Sequence, residues 1–243
     1  MNIKEFCKTV NSFEIVDLSH GYKEGIPIWP SHAPYEHVLW EDYDKGSLNY
    51  QLKIHEHCGT HVDSPAHFIK EGKGHVFMSD IPLEHFMGRC ITLDFTDHPR
   101  NFMVMPEHIQ QWEKEHIRIE ENDIVMFNFG VTEAWKHGNI DYINANWSGL
   151  GKRSAEYLLS KKVKMVGSDG LALDVYGVDK YWVHLILLDN RILILENVAN
   201  LDKMPDEGYF ICLPLNVQNS SGSPIRAIGF KNKQEYTAAK ELI

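Results

Sequence analysis

The chain is poor in cysteine: Cys7, Cys58, Cys90 and Cys212 are scattered over 243 residues without regular spacing. That excludes a disulfide-stapled scaffold and predicts reduced thiols in a cytoplasmic protein. Basic charge is scarce as well, with 24 Lys and Arg against 34 Asp and Glu, a net charge of −10 and a pI near 5.7. A chain of that sign lacks the electrostatic footprint of a nucleic-acid or anionic-membrane partner, so neither is expected. Long apolar runs are missing too. The most apolar stretch, 181–195, is broken by His184, Asp189, Asn190 and Arg191 and falls short of the roughly 20 residues a membrane span needs. The opening MNIKEFCKTVNSFEIVDLS carries Lys4, Glu5 and Lys8 in place of the apolar centre of a secretory leader. Without an internal repeat, a low-complexity tract or a Gly/Ser linker, one domain over 1–243 is the economical expectation.

With 43% apolar residues the chain can build a full core, and the pattern indicates how. Short runs rich in β-branched residues, bounded by Gly, Asp or Pro, predict strands over 13–19, 90–95, 123–130, 163–169, 192–198, 209–215 and 225–230. Helices are predicted at 106–116, where Pro106 takes a first-turn position and Ile109 and Trp112 sit three apart, and at 152–162. The fold class is therefore α/β, with spacing too irregular for a doubly wound repeat. The stretch from Gly130 to Gly151 reads as a long loop of the kind that covers sites.

Histidine is what the sequence has in excess: fourteen, more than its Pro, Tyr or Phe. Four of them fall in HEHCGTHVDSPAH, from His55 to His67. His57 and His61 have the spacing of a helical zinc site, but Cys58 stands where such a motif needs Glu, and Gly59, Thr60 and Val62 are poor helix residues. In an extended chain, His61 and Asp63 point to one face, and a bend at Gly59 brings His57 beside them. Two imidazoles and a carboxylate form a borderline ligand set for Zn²⁺, Mn²⁺ or Fe²⁺, with positions left open for water. Pro65 then turns the chain, and His67 follows as a proton shuttle rather than a ligand. A lone histidine is usually a packed or solvated residue, but here ligands, glycine and proline all serve one geometry. His55 has no need to be a ligand.

This motif, HCGTHVDSPAHF, resembles that of the cyclase-like metal-dependent hydrolases, the family of bacterial kynurenine formamidase and isatin hydrolase. The resemblance runs from DLSHGYKEGIPIWP (17–30) to GSPIRAIGF (222–230). It implies a single domain with a mixed, partly barrel-like β core of the swivelling β/β/α type flanked by helices. It also implies that His57 and His61 hold one metal, that Asp63 bridges two, that His67 is the catalytic acid/base and that Trp29 contacts the substrate. A second metal falls to His184 and Glu196, twelve residues apart in WVHLILLDNRILILENV. Zn²⁺ is the first choice of metal, as one or two ions, and Mn²⁺ the second. A homodimer or tetramer and a place in tryptophan catabolism are further implications.

Read without the family, His184 is a histidine in an apolar run, whereas Glu196 ends the strand ILILE, where a carboxylate is costly to bury unless paired or bound to a cation. If 181–188 is a strand, a three-residue loop sets 184 opposite 196. If it is a helix, Asn190 is the left-handed residue after its cap, and the resemblance favours the helix. Two segments depart from the family pattern: MVGSDGLALD (165–174) replaces Asp-Thr-Pro-Ser, and the loop 130–151 is longer, so the substrate is less fixed than the metal chemistry. There Asp169 and Asp174 are turn or cap residues before they are site residues. Trp135, Tyr142 and Trp147, with Trp29, are candidates for an apolar wall against an aromatic substrate, or for ordinary packing. The expected activity is hydrolysis of an amide by metal-activated water, on an N-formylkynurenine-like aryl formamide, with isatin-like cyclic amides or lactones as the alternative substrates. A metal-binding structural module with a degenerate site is the non-enzymatic alternative.

Overall fold

A computed structural model describes residues 2–137 and 146–233. Its centre is one mixed sheet curled on itself. Strands β5 (Met87–Asp94), β7 (Ile124–Asn128), β9 (Met165–Ser168) and β10 (Leu193–Glu196) run parallel, and β4 (His61–Asp63), β12 (Gly222–Asn232) and β11 (Glu207–Pro214) complete an antiparallel return to β5. The ring β12-β11-β5-β7-β9-β10-β4 closes because β12 pairs with β4 as well as with β11. At eleven residues β12 is long enough to share one edge, giving Gly222–Pro224 to β4 and Ile228–Asn232 to β1 (Phe13–Asp17).

Alternation along the strands separates two cores, as a pleat of period two requires. Ile124, Met126, Leu193, Leu195 and Val62 point into the barrel with Phe210 and Cys212, whereas Val125, Phe127 and Ile194 point outward. The outward set is covered by helices α2 (Pro106–Glu115), α4 (Lys152–Lys161) and α5 (Trp182–Asp189), through Ile109, Trp112, Ala155, Leu158, Val183, Leu187 and Leu188. Each such side chain contributes roughly 1.5–3 kcal/mol when fully buried.

The predicted strands and helices are present with shifted ends. Among the elements not foreseen are helix α1 (Ile3–Ser12) and the hairpin of β2 (Glu36–Glu41) with β3 (Asn49–Lys53). Within the stretch read as a loop, the chain forms α3 (Thr132–Lys136), and β8 (Gly149–Leu150) pairs with β6 (Met103–Val104). The segment 181–188 is helical, not a strand. Asn190 keeps a negative φ, and Arg191 takes the left-handed position at φ 60°. Ile192 N–H reaches back to the Leu187 carbonyl and Arg191 N–H to that of Leu188, a Schellman ending whose left-handed residue lies one later than expected. The Arg191 guanidinium donates to the Lys73 carbonyl at 2.7 Å, which holds this non-glycine residue there. All four cysteines are unpaired, and no helix among the described residues is long and apolar enough to cross a membrane.

Candidate metal centre

The pairing of β4 with β10 puts Glu196 opposite His61 and Ile194 opposite Asp63. Since Val62 and Leu195 face the barrel interior, His61, Asp63 and Glu196 all emerge on the outer surface, beneath helix α5. That helix supplies His184. Gly59, at φ +63°, bends the chain before β4 as expected and brings back His57; an added Cβ there would stand 2.7 Å from Tyr22 Oη. His57, His61, Asp63, His184 and Glu196 are all buried.

Two ligand triplets result, His57/His61/Asp63 and Asp63/His184/Glu196, each with its donor atoms within 4.8 Å of one another, and Asp63 belongs to both. His57 Nδ1 lies 2.6 Å and His61 Nε2 3.4 Å from Asp63 Oδ1; His184 Nε2 is 3.7 Å from Asp63 Oδ2 and 3.1 Å from Glu196 Oε1. The inner imidazole nitrogens are backed from behind. His61 Nδ1 meets the Gly59 carbonyl at 2.8 Å, and His184 Nδ1 meets Asp174 Oδ2 at 2.6 Å, which leaves each Nε2 facing the carboxylates.

This donor set fits a divalent cation. Asp63 Oδ2 is buried without a hydrogen-bond partner, a position that costs free energy unless a cation is beside it. Although burial pushes both carboxylates up, His57, His67 and His61 hold Asp63 well below the usual carboxylate range, and His184 and His61 hold Glu196 at about 2. Burial lowers the His184 pKa, but bonds to Asp174 and Glu196 outweigh it and raise the group to about 10. The carboxylates draw protons onto the imidazoles, and these are the protons a cation would displace, because an imidazole must be neutral to act as a ligand.

His67 follows on the short turn Pro65–His67, stacked on His57 at 3.8 Å between ring centroids. Burial lowers it to about 4, so it is neutral near pH 7. Together with Trp29 and four of the five ligand-type residues it lines a cavity of about 290 Å³. The aromatic wall differs from the one expected. Trp29 lines the cavity, but Trp147 stands behind it at 5.9 Å, with its indole N–H on the Asp174 carbonyl, and Trp135 stacks on His20 at 4.3 Å. Both are consumed by packing, and Tyr142 lies outside the described residues. The wall is completed by Phe68 and Tyr181, 5.9 Å apart, with Tyr181 6.2 Å from Trp29. Neither carried a sequence signal beyond adjacency, Phe68 to His67 and Tyr181 to the start of α5.

Asp174 proves to be both a cap and an orienting group. It accepts Val183 N–H and His184 N–H at the start of α5 while holding the His184 ring. Asp169 belongs to neither triplet and accepts Phe129 N–H and Val131 N–H, each at 2.9 Å. His55 is no ligand; it stacks on His32 at 3.9 Å, and its Nδ1 accepts His57 N–H.

His20 offers a separate test of the packing. Burial, followed by the charge of Lys136, lowers its pKa from 6.5 to about 4. The folded state then binds fewer protons than the unfolded state between those values. Its contribution is complete above pH 6.5 and is lost as pH falls toward 4, on the order of 3 kcal/mol at most. A His20→Phe variant, which keeps a ring on Trp135, is expected to show a flatter fall in urea-unfolding free energy from pH 6.5 to 4.5; an unchanged slope contradicts this.

A family model described as putative cyclase matches residues 16–175, more than half of the chain. The chain belongs to the cyclase family. It is 28% identical over 218 residues to kynurenine formamidase of Bacillus cereus (strain ATCC 10987 / NRS 248), covering 88% of this chain and 96% of that protein. It is 30% identical over 228 residues to cyclase-like protein 3 of Oryza sativa subsp. japonica, covering 89% and 80%. Among solved structures, an isatin hydrolase bound to the product analogue thioisatinate superposes with a TM-score of 0.88 at 24% identity, over 96% of this chain and 100% of that one. Isatin hydrolase A from Ralstonia solanacearum gives 0.84 at 22% identity, over 95% and 97%. The mixed α/β barrel is the fold this cyclase-family chain shares with them.

Proposed function

We propose that this cyclase-family chain is a metal-dependent hydrolase of a carbon–nitrogen amide bond, acting on an N-formylkynurenine-like aryl formamide. One observation carries the reading: two buried ligand triplets sharing Asp63 sit beside a cavity that Trp29, Phe68 and Tyr181 also line, with the neutral imidazole of His67 on its wall. The names of the Bacillus relatives support the substrate class. In this reading His57, His61, Asp63, His184 and Glu196 hold one or two divalent ions, Zn²⁺ first and Mn²⁺ second. When bound, such an ion would polarise the carbonyl and lower the pKa of water toward neutrality.

The remaining work belongs to side chains. Trp29, Phe68 and Tyr181 hold the aryl ring and exclude water from its faces. His67 accepts the proton from the attacking water as the carbon–oxygen bond forms and delivers it to the nitrogen as the carbon–nitrogen bond breaks, giving formate and an aryl amine. Free thiols suit a reducing, cytoplasmic setting.

A second reading, opening of an isatin-like cyclic amide, is favoured by one feature. Leu171 and Ala172, from the segment that departs from the formamidase pattern, lie in the cavity wall. The test is a panel of aryl formamides, isatin and lactones, assayed before and after chelation and after return of Zn²⁺ or Mn²⁺. Turnover of formamides that disappears on chelation and returns with metal supports the proposal. Activity unchanged in metal-free protein overturns it, preference for isatin moves the assignment to the cyclic amide, and bound metal without turnover of any substrate leaves a binding module.

A further inference from the structure

His57 differs from the other two imidazoles in what stands behind it. Its Nε2 is 3.0 Å from Ser221 Oγ, and that hydroxyl is 2.7 Å from Glu56 Oε2, which also takes Ser221 N–H at 2.8 Å. Hydrogen-bond polarity can be followed along this chain. Glu56 Oε2 receives two donors and is an acceptor, so the single hydroxyl hydrogen of Ser221 is spent on it. Ser221 Oγ can then offer His57 only lone pairs, and Nε2 must carry a hydrogen. Nδ1 faces Asp63 Oδ1 at 2.6 Å, and a carboxylate only accepts, so without a cation this nitrogen carries a hydrogen as well; with Nε2–H held by Ser221, the Nδ1 hydrogen is the one a cation would displace. The clamp is tight: an added Cβ at Gly222 would overlap the His57 ring, and the His67 ring stacks on it. Ser221 itself is fixed because its carbonyl accepts Ser64 N–H and Ser64 Oγ–H, each at 2.9 Å, where β12 meets β4.

We propose that Glu56 and Ser221 are positioning residues that keep a hydrogen on His57 Nε2, so that Nδ1 is the atom it presents to a divalent cation. The inference rests on the metal-centre reading above and adds residues that lie outside both ligand triplets. Without the Glu56 acceptor, the Ser221 hydroxyl is free to donate to Nε2, so that Nδ1 holds the only hydrogen of the neutral ring and cannot bind a cation until that donation is reversed.

The experiment is calorimetric titration of the full-length, metal-free protein with Mn²⁺ and Zn²⁺, paired with ¹⁵N imidazole spectra that assign the His57 tautomer. Ser221→Ala and Glu56→Ala are expected to weaken the affinity about 10- to 100-fold and to depopulate the Nε2–H form. Glu56→Gln keeps an oxygen acceptor and is expected to stay close to wild type, as is Ser221→Thr, which keeps the hydroxyl. These two also separate the effect from misfolding, with melting of the metal-free proteins as a check. If wild type binds metal and both alanine variants bind it equally well with an unchanged tautomer, the positioning role is overturned. If wild type binds neither ion, the metal-centre reading falls and this inference falls with it.

Discussion

Asp63→Ala is expected to emerge from dialysis with neither triplet loaded, because both triplets draw on this one carboxylate. Loss of a Lewis acid worth several kcal/mol translates to about a 10³-fold or greater fall in turnover. The fold should survive, since Oδ2 has no hydrogen bond to lose and Oδ1 forfeits mainly its bond to His57. His184→Ala is the informative contrast: it removes one triplet and leaves His57, His61 and Asp63 in place, so some bound metal should remain. Elemental analysis of the two purified variants separates these outcomes. Full metal occupancy in Asp63→Ala would show that the shared carboxylate is not the bridge between the triplets.

The second large effect is expected at His67. Its ring stacks on His57 and lies 6.5 Å from that of His184, yet it belongs to neither triplet. His67→Ala should therefore keep its metal and lose about 10²- to 10⁴-fold in kcat, the range for a positioned acid/base. KM should move little, because Trp29, Phe68 and Tyr181 are untouched. The loss should shrink for formate esters of phenols, whose leaving oxygen needs less help from a proton than an aniline nitrogen. Equal loss of metal in His67→Ala and Asp63→Ala would make His67 a ligand.

Much of this centre was legible because its residues are local or chemically out of place. His57, His61 and Asp63 announce themselves through types and spacing, and Gly59 through the bend they need. Glu196 stands out as a carboxylate at the end of an apolar strand. What the sequence concealed depends on long-range pairing. The outward face of β4 is decided by β10, more than a hundred residues away, and no local pattern in a three-residue strand predicts it. Asp174 reads as a turn residue because its partner His184 lies across a loop. Trp135 and Trp147 attract attention as large aromatics, but burial against His20 and Trp29 takes them out of the cavity, while Phe68 and Tyr181 reach it through the placement of their elements. The hairpin of β2 and β3 escaped notice because exposure on both faces removes the alternation that marks a half-buried strand.

The closing seam of the barrel has a bearing on assembly. Strand β4 is held by β10 on one side and by β12 on the other, both laid down late in the chain. His57, His61 and Asp63 therefore meet His184, Glu196 and Ser221 only when the last stave is in place. A cation bound there acts as a clasp across the join, selective for the finished ring over any earlier species. At a thousandfold excess over its Kd it would add about 4 kcal/mol to the finished fold. The chain thus couples its capacity for chemistry to completion of its own architecture, and an incompletely wound barrel has no full set of donors with which to capture metal.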